Sequence, residues 1–194
     1  MREAVEGFLG TVPMPEGAVA CLPPGVLHSL QHGVKVIEFQ TPNYERLIGM
    51  FAQKVLTQPH WDSDAAIRRM DKAVYTPPAP EPMLRKEGWA LERIVGFPQF
   101  QVQRLLLTGG AAWTSATTGG ANYQLLLGVQ GSGRIEVPER GPVALGKETA
   151  LLLPATLGAF TIRAGGGGLT CLLTLPAEAH PPADATSQPS RARP

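Results

Sequence analysis

The residue whose setting most suggests chemistry is His28, which follows a proline corner. The corner, PPG at residues 23–25, stiffens and turns the chain directly after the short apolar run at residues 19–22. With Gly17 the pattern reads G-x5-P-x-G-x2-H, and a histidine just past such a corner is expected to face the interior of a β fold, where imidazole commonly binds metal. The alternative is a histidine satisfied by hydrogen bonds inside the fold or at its rim. The spacing favours the metal ligand.

Two other chemical motifs are read as structural. Cys21 and Cys171 each lie inside an apolar, strand-like run, and no C-x-x-C is present, so both are expected to be small buried hydrophobes in a reducing compartment. The glycine run at residues 165–168 is followed neither by a helical pattern nor by Lys-Ser or Lys-Thr. It therefore predicts a hairpin connection and not a phosphate loop.

Composition excludes several classes of protein. The 194 residues carry 17 Lys and Arg against 16 Asp and Glu, so the net charge of +1 offers no electrostatic case for nucleic acid or an anionic membrane. No apolar run approaches the length of a membrane span, and the N-terminus lacks the pattern of a secretory signal. A globular, soluble, cytoplasmic protein is expected. The 22 glycines and 19 prolines fit short strands and turns better than long helices.

The first part of the chain mixes strand and helix signals. Residues 2–9 have helical spacing, residues 19–22 and 34–39 predict strands, and residues 44–56 fit either type. The strongest local prediction is a helix capped by Asp62 or Ser63. Its apolar face is expected to comprise Ala65, Ala66, Ile67, Met70 and Val74.

The second part is rich in strand signals. A proline-rich connector, TPPAPEPMLRK at residues 76–86, precedes six short β-type runs broken by Gly or Pro, as in an antiparallel sandwich or barrel. These runs are FQVQRLLL, NYQLLLGVQ, GRIEV, ALLLPA, AFTIR and LTCLLTL. The tail from Ala177 is expected to be disordered.

The two parts share a weak internal repeat. Aligning VPMPEGAVACLPPGVLH with VALGKETALLLPATLGA places His28 over Ala159, an offset of 159 − 28 = 131. The second copy has lead-in strands from Phe100 to Val137. Subtracting the offset of 131 places the counterparts of these strands in the first copy at or below residue 6. The first copy therefore starts in its middle and leaves strand edges unpaired. Either a longer chain has been cut, or a partner or the second copy covers the gap.

These segments resemble the cupin-type mannose-6-phosphate isomerase family. The pattern around His28 is the second signature of the cupin barrel, and the similar stretches include TVPMPEGAVACLPPGVLHSL, GVKVIEFQTPNYERL, HWDSDAAIRRMD and YQLLLGVQGSGRIEV. The resemblance covers about residues 2–176 and implies an all-β fold with minor α, built as tandem cupin, or jelly-roll, β-barrels with the first truncated at its N-terminus. It also implies zinc-dependent aldose–ketose isomerisation of mannose 6-phosphate and fructose 6-phosphate.

Carried over by position, the resemblance makes His28 the zinc ligand and Arg46 a catalytic, charge-stabilising residue near the oxyanion or phosphate. Without it, Arg46 is interpreted as a surface residue in an ion pair with Glu45 or Asp62. The family's other ligands, a Gln-x-His pair and a glutamate, are absent upstream. The triplet at residues 58–60, QPH, lies in the wrong topological place, His32 reads as a turn residue, and Glu38 is at least as suited to a structural role. The shortened segment before Tyr44 puts Asn43 in doubt as a substrate contact.

The expected organisation has four parts. Residues 1–75 form the C-terminal half of a first cupin barrel plus a helix, residues 76–95 a linker, residues 96–176 a second, metal-free barrel and residues 177–194 a disordered tail. The predicted function is isomerisation of a sugar phosphate if the full zinc site is assembled. The alternatives are a non-catalytic cupin that binds a sugar or a partner chain, and an inactive fragment of the enzyme. A second copy or another chain is the expected partner at the incomplete barrel.

Overall fold

A computed structural model describes residues 10–30, 32–41, 46–49, 62–115 and 122–177 of the chain. They belong to two compact units, which divide the chain at residues 79 and 80. The predicted helix at residues 2–9, Asn43, the triplet at residues 58–60 and the tail beyond Ala177 lie outside the described residues, as does most of the ambiguous segment at residues 44–56.

The first unit contains one described helix, α1 (Ser63–Arg69). This confirms the predicted helix but shortens it, since Met70 is already extended and Val74 lies outside the helix, almost fully exposed. Asp62 occupies the N-cap position without a side-chain capping bond. One side chain of the predicted apolar face, Ala66, is buried.

The strands predicted at residues 19–22 and 34–39 are wrong for the described part of this unit. Both segments are irregular, and the residues around them form turns at Gly17, Gly25 and Gly33, each with a left-handed φ between 81° and 97°. The turn prediction is therefore confirmed where the strand prediction fails. A strand needs a neighbour that takes up its backbone N–H and C=O groups, and no described segment of this unit supplies one.

The described residues of the second unit form eight strands, which confirms the all-β prediction. They are β1 (Glu81–Lys86), β2 (Trp89–Gly96), β3 (Phe100–Leu107), β4 (Ala112–Thr114), β5 (Gln124–Glu136), β6 (Val143–Gly146), β7 (Ala150–Leu153) and β8 (Thr161–Pro176), with a 3₁₀ turn at Ala155–Leu157. The linker predicted for residues 76–95 is wrong beyond Pro80, because β1 and most of β2 occupy it. No described helix is long and apolar enough to cross a membrane.

Two long strands, β5 and β8, organise this sheet. They pair with each other along most of their length. Near the start of β5 and the end of β8 they are flanked by β7 and by β3, which continues to β2 and β1. Near the end of β5 and the start of β8 they are flanked by β6 and β4. The sheet thus has a larger and a smaller half, an antiparallel arrangement consistent with a jelly roll.

Glycines make the bend between the two halves. The β5–β8 register shifts between Gly128 and Gln130 and again between Gly131 and Gly133, beside the glycine run at residues 165–168 of β8. At Gly128 a Cβ would overlap the carbonyl of Gly146, so only glycine fits. The hairpin predicted at residues 165–168 and the separate strands predicted on either side of Gly131 are therefore wrong: each is one bent strand.

The core lies on the face that the two halves share. It includes Leu105, Leu126, Leu145, Ile162, Cys171 and Leu173, all of which are almost inaccessible to solvent. Trp113 and Phe160 pack edge to face there at 6.0 Å between ring centroids. The predicted burial of Cys171 is confirmed, and burial raises the pKa of its thiol to about 12. Each fully buried leucine contributes roughly 1.5–3 kcal/mol to folding.

Candidate functional site

His28 is exposed, in irregular chain just after the turn at Pro24 and Gly25, which corrects the expectation that it faces a barrel interior. Val26 N donates to Pro23 O across the proline corner, and His28 Nδ1 donates to Val26 O at 2.8 Å. Because a carbonyl oxygen only accepts, this bond uses a proton on Nδ1, and in the neutral imidazole Nε2 is then the nitrogen with a lone pair. The ring is exposed because the described residues around the corner form no sheet that could enclose it.

The C-terminal end of α1 holds the corner. Asp71 N donates to Gly25 O at 2.8 Å, and a Cβ built on Gly25 would lie 3.3 Å from Arg69 O. Gly25 has a φ of 97°, a conformation that suits glycine best. The chain therefore turns toward His28 while packed against the end of the helix.

The N-terminal end of α1 holds the segment that begins at Arg46. Ile48 and Asp62 form a reciprocal pair: Asp62 N donates to Ile48 O at 2.7 Å, and Ile48 N donates to Asp62 Oδ2 at 3.1 Å. Ser63 Oγ adds a hydrogen bond to Gly49 O. Arg46 itself is exposed at the start of this clamped segment.

Packing beneath α1 brings the two segments together. A Cβ built on Gly49 would lie 3.3 Å from Leu27 Cδ1 and 3.6 Å from Ala66 Cβ, so Gly49 fills the space between the corner and the helix. Leu27 is next to His28 in the chain, and Gly49 is three residues beyond Arg46. The structure thus places the two predicted site residues on neighbouring segments that share one helix.

Several positioning residues were not identified as such from the sequence. Asp62 was expected as a helix cap or as an ion-pair partner of Arg46, whereas its carboxylate accepts a hydrogen bond from the backbone beyond Arg46. Tyr75 Oη accepts a hydrogen bond from Cys21 N at 2.9 Å, which ties the run before the corner to the chain after α1. No local pattern marks such contacts, since the bonded residues are 14 and 54 positions apart. Burial raises the pKa of the half-buried Cys21 thiol.

The described donor set does not fit a zinc ion. Catalytic zinc is usually held by about three protein ligands. Among the residues that the structure describes, no three His, Cys, Asp or Glu side chains come together as a candidate metal cluster. His32 and Glu38 are exposed, and His60 lies outside the described part. His28 therefore offers one ligand nitrogen and no described companions.

The clearest electrostatic cluster of the second unit lies on the smaller half of the sheet. Glu136 accepts hydrogen bonds from Arg134 Nε at 2.7 Å and from Arg163 Nε at 3.2 Å. The hydrogen bonds from Arg163 and then Arg134 hold the pKa of Glu136 below its usual value. Arg134 on β5 and Arg163 on β8 are directly opposite each other, so the Glu136 carboxylate offsets the repulsion between their two positive charges. We interpret this cluster as structural.

No family model matches the chain, and no curated protein matches it. Solved structures do. An RmlC-like cupin from Desulfovibrio desulfuricans is 12% identical, with a TM-score of 0.38 over 45% of this chain and 81% of that one. KdgF from Halomonas sp. is 16% identical, with a TM-score of 0.41 over 48% and 84%.

A third similar structure is the mannose 6-phosphate isomerase from Bacillus subtilis. It is 18% identical, with a TM-score of 0.48, and the match covers 60% of this chain but 34% of that one. These likenesses are to proteins with cupin folds, and they assign neither an activity nor a ligand to this chain.

Proposed function

We propose that the chain is a mannose-6-phosphate isomerase-like cupin protein whose first unit carries part of a sugar-phosphate site. The observation that supports this best is the clamp made by α1. Its two ends hold the corner before His28 and the segment after Arg46, and Leu27 and Gly49 pack between them. The two residues that the sequence resemblance selects thus stand on segments that this helix holds side by side.

In this proposal Arg46 binds the sugar phosphate. A guanidinium keeps its charge at every physiological pH and can make two parallel hydrogen bonds to a phosphate or an enediolate oxygen. It is exposed, so an incoming ligand can reach it. His28 presents Nε2 outward, with its ring fixed by the bond to Val26 O. Zinc, the metal that the resemblance implies, needs donors in addition to His28.

A non-catalytic role is the second candidate function. It is favoured by the donor set, because His28 stands without described metal-ligating companions and isomerisation needs a base and a cation at the reacting oxygens. In that case the first unit binds a sugar phosphate or a partner chain through the same segments and performs no chemistry. A partner chain that supplied further metal-ligating side chains would complete the zinc site and give the first candidate, the isomerase.

Phosphosugar binding tests the ligand-binding part of the proposal. The purified chain is titrated calorimetrically with mannose 6-phosphate, and Arg46→Ala is compared with Arg68→Ala, which removes an exposed arginine from α1. Loss of a charge-assisted hydrogen bond is expected to weaken binding about tenfold or more for Arg46→Ala. Equal affinity in the two variants would refute the assigned role of Arg46.

Zinc content and isomerase activity separate the two candidates. Bound zinc that falls in His28→Ala but not in His32→Ala, together with interconversion of the two hexose phosphates, supports the enzyme. His32 is the matched control because it is also an exposed histidine, four residues beyond His28. Zinc that is sub-stoichiometric and unchanged by His28→Ala, with phosphosugar binding retained, supports the non-catalytic candidate.

A further inference from the structure

The larger half of the sheet in the second unit has two edges, and they differ in chemistry. β1 forms one edge, and β7, which pairs with β5 alone among the described strands, forms the other. The β1 strand, EPMLRK, carries three charged residues, a proline at Pro82 and a register shift beyond it. Charges, prolines and bulges on an edge strand hinder its pairing with another chain. The β1 edge is therefore protected.

The β7 edge is short and apolar. Its four residues, ALLL, include no charge and no proline, and Leu152 is 64% exposed. Leu151 packs against the core and Leu153 is part of it, so Ala150 and Leu152 are on the outer face of the sheet. Leu125 of β5, which is opposite Leu152, is 40% exposed. The outer face beside this edge is thus an apolar surface open to solvent.

The backbone of β7 is also available for pairing. Gly128 N donates to Thr149 O, and hydrogen-bonded pairs alternate along an antiparallel ladder. In the register of β5 and β7, Leu151 is therefore in a hydrogen-bonded pair with β5, while the N–H and C=O groups of Ala150 and Leu152 are directed away from β5. Among the described residues, none forms a hydrogen bond with these groups. They form a template for another strand.

We propose that β7 pairs with β7 of a second copy of this chain, antiparallel about a two-fold axis at Leu151. In this register Ala150 and Leu152 are each opposite the other residue of the second copy, so all their outward N–H and C=O groups are paired. The large, exposed Leu152 also covers a small alanine. The outer face becomes one apolar row that runs from Leu127 and Ala150 to Leu152 and Leu125 of the second copy.

The charges near this edge are compatible with a second copy as the occupant. Lys147 and Glu148 precede β7, and in the proposed register they are opposite Ala155 and Pro154 of the second copy, so no like charges meet. The contact involves a strand of only four residues on each side. Stable dimers bury about 800 Å² per partner, so this dimer is expected to be weak and dependent on concentration. It does not depend on the function proposed for the first unit.

Sedimentation equilibrium of the full chain over a series of concentrations tests the contact. Wild type is expected to dimerise, and Leu152→Lys to raise the dissociation constant at least about tenfold, because it places a charge on the apolar edge of both copies. Leu84→Lys, at a residue that is 58% exposed on the β1 edge, is the matched control and should leave the constant unchanged. Thermal unfolding checks that both variants fold. A chain that is monomeric at every concentration, as it would be if another protein occupied this edge, or equal weakening by both variants, would overturn the proposal.

Disulfide formation tests the register. In a Cys21→Ser background, where Cys171 is buried, Leu151→Cys would bring two cysteines within about 4.5 Å between Cα atoms, which a disulfide can span. Leu152→Cys would leave them about 8 Å apart, beyond that reach, although Leu152 is the more exposed residue. Leu151→Cys is therefore expected to form the linked dimer faster. In wild type, exchange of the Leu152 amide should slow as the protein concentration rises. Faster linking of Leu152→Cys, or exchange that is independent of concentration, would refute the paired strands.

Discussion

The bond from Ile48 N to Asp62 Oδ2 is the contact through which α1 is expected to position Arg46. Asp62→Ala removes this acceptor, while the backbone bond from Asp62 N to Ile48 O stays available. Hydrogen bonds to charged groups contribute about 1.5–3 kcal/mol, and this one is partly buried and 3.1 Å long. We therefore take the low end, about 1.5 kcal/mol, which is slightly more than a tenfold change in the local opening equilibrium.

Hydrogen exchange at the Ile48 amide measures that equilibrium directly. The amide is expected to exchange about tenfold faster in Asp62→Ala, and Asp62→Asn, which keeps an acceptor oxygen, should recover most of the protection. Asp64→Ala is the matched control, since Asp64 is an exposed carboxylate in the first turn of the same helix. The Cys21 amide, bonded to Tyr75, reports on the rest of the unit. Equal exchange of Ile48 in Asp62→Ala and Asp64→Ala would refute the clamp.

Three further predictions concern the second unit. In a Cys21→Ser background, Cys171 is expected to react with a thiol reagent only as fast as the unit unfolds, because its buried thiol has a pKa of about 12; fast labelling of the native protein would contradict this. Folding lowers the pKa of Glu136, so Glu136→Gln is expected to reduce the urea midpoint of unfolding above about pH 4.5. The difference from wild type should vanish as the pH falls through the pKa of Glu136 in the folded protein. Gly128→Ala is expected to lose about 3 kcal/mol of unfolding free energy. Gly167→Ala, where a Cβ meets nothing, should change it by less than about 1 kcal/mol, and similar losses in both would disprove the close approach at Gly128.

The sequence predicts the second unit well because its signals are local. The β-type run FQVQRLLL becomes β3 with the predicted bounds, and ALLL becomes β7. The errors occur at glycine. A Gly-Ser-Gly sequence and a run of four glycines are each compatible with a hairpin turn or with a bent strand. A hairpin forms if the two flanking strands pair with each other, and a bent strand forms if both continue along the same neighbouring strand. The paired residues of β5 and β8 are 25 to 49 positions apart in the chain, beyond any local pattern.

The candidate site is predicted in its residues but not in its geometry. His28 and Arg46 follow from a motif and a resemblance, and the helix that holds their segments follows from its apolar spacing. The bonds that connect them involve a carboxylate, a tyrosine hydroxyl and two glycines, whose partners are set by the tertiary structure. The exposure of His28 was not predicted because a spacing motif describes one strand and its corner, whereas an interior requires the strands that surround it.

The repeat explains why one pattern gives strands in one unit and irregular chain in the other. In the second unit β6, β7 and the start of β8 all pair with β5, so β5 takes up the hydrogen-bonding groups of three segments. Subtracting the offset of 131 places the counterparts of β6 and β7 at residues 12–15 and 19–22, and both segments are irregular. The corner before His28 is retained, but no described segment of the first unit pairs with these residues. Strand propensity is weak compared with the hydrogen bonds of a ladder, so a segment with a similar pattern is irregular where no described neighbour pairs with it. By this reasoning, the interior position expected for His28 depends on a strand that pairs with residues 19–22, whichever chain supplies it.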